Sequence, residues 1–149
     1  MIKRVFLLLF TTLLIGGTMH AQEKFADALA AAKDSGKHVL IVFSGSDWCI
    51  PCIKMEKQVF LADDFRKYAS DHLVIVHADF PRLKKNQLSA TQQSINEALA
   101  DKYNTHGSFP MTVLTDPEGH VIKEWPGYED KLTASVFIQQ LESAMHGQN

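Results

Sequence analysis

The only two cysteines of the 149-residue chain stand three positions apart in Trp48-Cys49-Ile50-Pro51-Cys52. Two thiols at that spacing can close into a small disulfide ring and reopen, which is the chemistry of dithiol–disulfide exchange. An apolar run, Val39 to Phe43, precedes the pair, and Ile53, Glu56, Val59 and Phe60 recur after it at helical spacing. The order reads as strand, short loop, helix, with Cys49 near the helix start. Unpaired backbone N–H groups and the helix dipole stabilise negative charge there, and the thiolate is the reactive form of cysteine. Cys49 is therefore expected to face solvent as the attacking sulfur. Cys52, one turn further in, is expected to be the more buried, resolving thiol. Pro51 fits the first helical turn, where its missing N–H has no helical partner. Trp48 is expected to shield one side of the sulfurs and form an apolar collar for a peptide.

Two other uses of the pair fit less well. A structural bridge more often links distant segments, and closing so short a loop stabilises little. A zinc site needs four ligands, and no histidine pair with zinc-finger spacing stands beside the two cysteines. Neither a metal nor a cofactor is expected.

The composition bounds where this chemistry works. Met1-Ile2-Lys3-Arg4 is basic, Val5 to Ile15 is apolar apart from Thr11 and Thr12, and Gly16 to Ala21 is a small-residue exit. That is the layout of a secretory signal peptide, and its apolar core is shorter than the ~20 residues a membrane span requires. The expected organisation is a leader at 1–21 and one domain at 22–149, secreted to a periplasm, with no stable membrane anchor after cleavage. Without Lys3 and Arg4 the domain has 13 basic residues against 17 acidic. A mildly acidic, mixed surface carries no nucleic-acid footprint. A domain of this size buries a core without staples, which frees the cysteines for chemistry. An oxidising compartment would oxidise the pair, so a reductive role there calls for an electron donor, membrane-bound or soluble.

The positioning elements follow in order. Glu23 to Asp34 reads as a helix with Phe25, Ala28, Leu29 and Ala32 on one face, stopped at Gly36. Val39 to Phe43 is a strand covered on both faces. The helix after the cysteines restarts at Ala62-Asp63-Asp64. His72 to Ala78 is a second buried-type strand, and Arg82 to Ser89 a polar loop, read as solvated, with a partner-docking lip of Asp79-Phe80-Pro81-Arg82 and the lysines after it as the alternative. Thr91 to Tyr103 is a helix burying Ile95, Ala98, Leu99 and Tyr103. Met111 to Thr115 and His120 to Trp125 form a hairpin around a type I turn at Asp116-Pro117-Glu118-Gly119. Asp130 to Met145 is the last helix, with Val136, Phe137, Leu141 and Met145 inward. Strands joined through helices are expected to run parallel, with the hairpin adding an antiparallel strand. The fold class is α/β: a central mixed β-sheet flanked by helices on both faces.

Val39 to Phe60, with Ser108-Phe109-Pro110-Met111-Thr112 and Gly127, resembles the thioredoxin family, most of all in its W-C-x-P-C core. The alanine-rich first helix, Asp47 and Lys54-Met55-Glu56-Lys57 are similar to exported thioredoxin-like proteins, such as the C-terminal domain of the transmembrane thiol-disulfide interchange protein. The resemblance implies a cis Phe109–Pro110 bond opposite the cysteines and a Phe109 backbone offered to an incoming peptide. It also implies that Gly127 lets that peptide approach closely. Two departures stand out. Thioredoxins carry a buried acid in the strand before the motif, and Val39 to Phe43 has none, so proton handling falls to water, Asp47, Glu56 or Lys57. The dipeptide is Ile50-Pro51 rather than glycine-proline, so the redox potential is not transferable. The implied function is exported thiol–disulfide exchange with disulfide-bearing proteins, in the reductive direction. The alternatives are an oxidase or isomerase of secreted proteins, and a binding module with a fixed bridge.

Overall fold

The computed structural model describes residues 18–147. The expected leader at 1–21 lies for the most part outside them, its last residues opening the first helix. The chain runs α1 (Thr18–Ser35), β1 (His38–Ser44), α2 (Ile50–Met55), a π-helical turn (Glu56–Phe60) and α3 (Asp63–His72). It continues through β2 (Leu73–Asp79), a 3₁₀ turn (Lys84–Asn86), α4 (Ala90–Tyr103), β3 (Met111–Thr115), β4 (Val121–Pro126) and α5 (Ala134–His146).

The sheet order is β2-β1-β3-β4, which puts β1 inside. Its apolar run is continuous because both faces are covered, and Val39 to Phe43 are all buried. Alternate side chains divide between two cores. Leu40 and Val42 pack with Met55, Val59, Phe65, Phe137 and Leu141, on the face covered by α2, α3 and α5. Val39, Ile41 and Phe43 pack with Ala32, Ile95, Leu99 and Tyr103, on the face covered by α1 and α4. Each fully buried side chain of this kind stabilises by ~1.5–3 kcal/mol, so β1 holds both helical layers to one sheet. β2 is an edge strand, and Val74, Ile75 and Val76 are half-buried rather than enclosed.

β1 pairs in parallel with β2, but β3 runs antiparallel to β1, against the expectation for strands joined through a helix. The reason lies in the path around α4. Midway along it the Asn96 amide donates to the Asp79 carbonyl at the end of β2 (2.7 Å). At its end the Tyr103 hydroxyl donates to the Gly119 carbonyl in the β3–β4 turn (2.9 Å). Segment 104–110 then returns to the cysteine end before β3 begins, with Met111 opposite Phe43 and Thr115 opposite Val39. A strand that starts at the top of β1 can only run down it.

Smaller differences have local causes. α5 begins at Ala134 rather than Asp130, because the Thr133 hydroxyl caps it by accepting from the Val136 N–H (3.3 Å). Phe137 and Leu141 point inward, while Val136 is 41% exposed. On α4, Ala98 is exposed and Asn96 is buried in its place. Its amide oxygen accepts from Gln92 Nε2 (2.9 Å) while its nitrogen reaches Asp79.

Candidate functional site

β1 delivers the chain into a short loop, and Cys49 becomes the N-cap of α2 in extended conformation. The Cys52 N–H donates to Cys49 Sγ at 3.3 Å, so a backbone dipole points at that sulfur. The two sulfurs are bonded, at 2.06 Å. Cys49 is 4% exposed and Cys52 5%, so Cys49 does not face solvent as expected. Closing the ring draws its sulfur onto the first turn of α2, and Ile50 (68% exposed) projects in front with Pro51.

Trp48 is held on every side. Its Nε1–H donates to the Phe80 carbonyl (2.7 Å). Its ring meets Phe109 edge-on at 5.4 Å, and Phe109 meets Phe80 at 5.5 Å. Arg82 Cζ sits 3.7 Å from the indole centroid. Gly45 lies against the ring, where a Cβ would fall 2.3 Å from Trp48 Cε2.

The Phe109–Pro110 bond is cis, and the Pro110 carbonyl accepts from the Gly127 N–H at 2.8 Å. Gly127 has φ +79°, and a Cβ there would meet nothing within 4 Å. The backbone conformation, not crowding, calls for glycine at this position. Trp48, Phe109, Pro110 and Gly127 thus form one continuous rim. Beyond it the Tyr128 hydroxyl donates to the Gln58 side-chain carbonyl. Trp125 packs against Phe137, with centroids 5.3 Å apart, as part of the core.

Behind the disulfide a recess of about 370 Å³ opens on Cys52, lined also by Ser44, Ser46, Glu56, Lys57, His77 and Asp79. The Asp79 carboxylate accepts from Ser44 Oγ (3.0 Å), the Ser46 N–H (2.9 Å) and Ser46 Oγ (2.6 Å). Of the groups expected to handle protons, Glu56 and Lys57 face this recess. Asp47 instead accepts from the N–H groups of Arg82 and Leu83 and from Asn86 Nδ2. Those bonds, the Arg82 N–H foremost, hold its carboxyl below the ordinary value of 3.8. They also bind the 82–89 loop, read from the sequence as solvated in preference to a docking lip, to the cysteine loop. Lys54 pairs with Asp130 at 2.9 Å; exposed pairs of this kind add little stability. His38 is half-buried, and burial lowers its pKa, while His77 is exposed.

Sequence reasoning missed Gly45, the Asp79 contacts with Ser44 and Ser46, and the Arg82 stack on Trp48. Asp79 meets Ser44 only through the β1–β2 register, so the available signal was an acid at the exit of a strand parallel to the one that carries the motif.

The sequence model of the thioredoxin-like domain matches residues 25–144. The chain belongs to the thioredoxin-like family. It is similar to the disulfide bond reductase DsbH of Chlamydia pneumoniae, with 35% identity over 123 residues, 83% of this chain and 71% of that protein. The thioredoxin-related protein DsbJ of the same organism is 27% identical over 99 residues, which span 66% of this chain and 28% of that longer protein. Among solved structures, a DsbH oxidoreductase superposes with a TM-score of 0.73 at 33% identity, covering 82% of this chain and 81% of that one. The C-terminal domain of DsbD from Neisseria meningitidis, in its oxidised form, shares the fold at a TM-score of 0.53 and 20% identity, covering 83% and 94% of the two chains. As a family member carrying the CxxC pair, this thioredoxin-like chain is a thiol–disulfide oxidoreductase. Among the described residues no helix is long and apolar enough to cross a membrane.

Proposed function

We propose that the protein is an exported reductase of protein disulfides, working as domain 22–149 in a periplasm after loss of the leader at 1–21. The observation that carries the chemistry is the Cys52 N–H held 3.3 Å from Cys49 Sγ, because a donor fixed on that sulfur stabilises its thiolate. The similarity to a disulfide bond reductase, 35% over 123 residues, supports the reductive direction. The basic, apolar and small-residue order of the first 21 positions supports export.

In the reduced protein the Cys49 thiolate attacks one sulfur of a substrate disulfide. A Cys49–substrate bond forms, the substrate S–S bond breaks, and the first substrate sulfur leaves as thiolate. The Cys52 thiol gives its proton to the recess, which Glu56 and Asp79 line with their carboxylates, and its thiolate attacks Cys49 Sγ. The second substrate sulfur leaves, and the Cys49–Cys52 disulfide closes. The substrate has gained two electrons and the pair has lost two; a donor protein, membrane-bound or soluble, returns them. During this exchange the substrate backbone pairs beside Phe109 as a short strand. Trp48, Pro51 and Pro110 wall the strand, and Gly127 leaves its approach open.

The decisive experiment expresses the full chain with Cys52→Ala. Protein partners are expected to remain attached through Cys49 and to be released by dithiothreitol. Equilibration of the wild type with glutathione should give a potential below about −200 mV; a value near the −120 mV of strong oxidants would reverse the direction proposed.

A further inference from the structure

The segment that follows β2 is part of the site and not a passive connection. The Asp47 carboxylate accepts from the Arg82 N–H (2.9 Å), the Leu83 N–H (2.9 Å) and Asn86 Nδ2 (3.0 Å). Gln87 Nε2 closes the segment on itself through the Pro81 carbonyl (3.0 Å). Its entry is pinned where Trp48 Nε1 donates to the Phe80 carbonyl. These bonds tie Arg82-Leu83-Lys84-Lys85 to the loop that carries Trp48, with Arg82 stacked on the indole at 3.7 Å. The side chains of all four are exposed, Leu83 by 48%.

The charge here runs against the rest of the molecule. The whole chain has 17 acidic residues to 15 basic, yet three of these four positions are cationic. None of the ion pairs among the described residues uses them. The Asp47 carboxylate, in contact with the segment through three neutral N–H donors, offsets one of these three charges. What remains is a net positive charge on a lip tied by these bonds to the loop that carries Trp48. A locally positive, exposed face of this kind favours a partner that brings negative charge to it. The flanking apolar rim of Trp48 and Phe109 suits a polypeptide.

We propose that the 82–85 lip is a specificity site that selects disulfides flanked by acidic residues in the partner protein. It deepens the reductase reading and rests on it. The occupant is an acidic stretch of the protein whose cysteine reaches Cys49. Rim charges of this kind act mainly on the rate of encounter and on its salt dependence, so the lip sets which disulfides are reduced fastest and takes no part in the exchange itself.

Two peptide disulfides identical except for three glutamates or three lysines beside the cysteine test this, with the reduced full-length protein. The wild type should reduce the acidic peptide about tenfold faster in kcat/KM at low salt. The preference should shrink towards parity at about 0.5 M salt, where screening is nearly complete at contact range. Lys84→Glu with Lys85→Glu, which leaves Arg82 on Trp48, should invert it. Equal rates on both peptides at low salt would overturn the lip proposal and leave the reductase reading standing. Reduction of neither peptide would sink both. Binding of the wild type to anionic phosphatidylglycerol vesicles, abolished in the same variant, would assign the lip to a membrane surface and overturn a protein occupant.

Discussion

At the residue scale, the site depends on positions that carry no sulfur. Gly45 exists for Trp48. A Cβ there would sit 2.3, 2.5 and 2.6 Å from three atoms of a rigid ring, so Gly45→Ala forces the indole out of its place. The Trp48–Phe80 hydrogen bond and the Arg82 stack are lost together. Melting should show a loss of about 1–3 kcal/mol, the usual cost of overpacking, and the Trp48 indole N–H should lose its protection from hydrogen exchange; an unchanged melt would refute the packing account. Asp47 makes a pH prediction. Its carboxyl titrates below the ordinary 3.8 in the folded chain because the Arg82 N–H, with Asn86 and Leu83, favours the charged form. A depressed acid contributes stability above its unfolded value and loses it as pH falls through the folded one. Exchange protection of the Arg82 and Leu83 amides should therefore be flat above about pH 4 and collapse below the lowered pKa. In Asp47→Asn that acid-dependent step should vanish.

At the element scale, what the sequence made legible depended on how local each cause was. The β1 run, the Ala62-Asp63-Asp64 restart, the hairpin and its turn all follow from residues adjacent in the chain. The direction of β3 did not, because it is set by where segment 104–110 comes back to, a tertiary fact. Neither did the π-helical turn Glu56–Phe60, closed by a Leu61 N–H to Glu56 carbonyl bond of 2.9 Å. Its residues keep ordinary helical spacing in the sequence, and only the demand that Val59 and Phe60 both reach the core widens it. The candidate site divides in the same way. Cys49, Cys52, Trp48, Pro110 and Gly127 are residue types whose own geometry is the signal. Asp79 and Arg82 are common residues made special by pairing far along the chain. On α3, Tyr68 packs against the core, yet its hydroxyl is buried with no hydrogen-bond partner. Burial pushes its pKa up to about 12. Tyr68→Phe removes that unsatisfied group and should stabilise by about 1 kcal/mol, which thermal melting would register as a rise of about 3–6 °C. A lower melting temperature would mean that the hydroxyl has a partner in solution.

At the scale of the whole molecule, one strand carries both cores and ends at the chemistry. Packing faults on either face of the sheet are therefore transmitted to the loop that holds the cysteines. The lip, the aromatic rim and the Pro110–Gly127 junction draw on four separate stretches, around Trp48, Phe80 to Lys85, Phe109-Pro110 and Gly127, tied together by the Trp48–Phe80 and Gly127–Pro110 hydrogen bonds and the Asp47 contacts. The near-complete enclosure of both sulfurs, at 4% and 5% exposure, has a further meaning. A free small thiol has almost no surface to strike, and it cannot grip a rim that rewards an extended chain. A docked polypeptide brings its own sulfur to the right place. The pair thereby exchanges more slowly with small thiols than with docked proteins, and over short times its oxidation state follows the proteins it has met more closely than the solution around it.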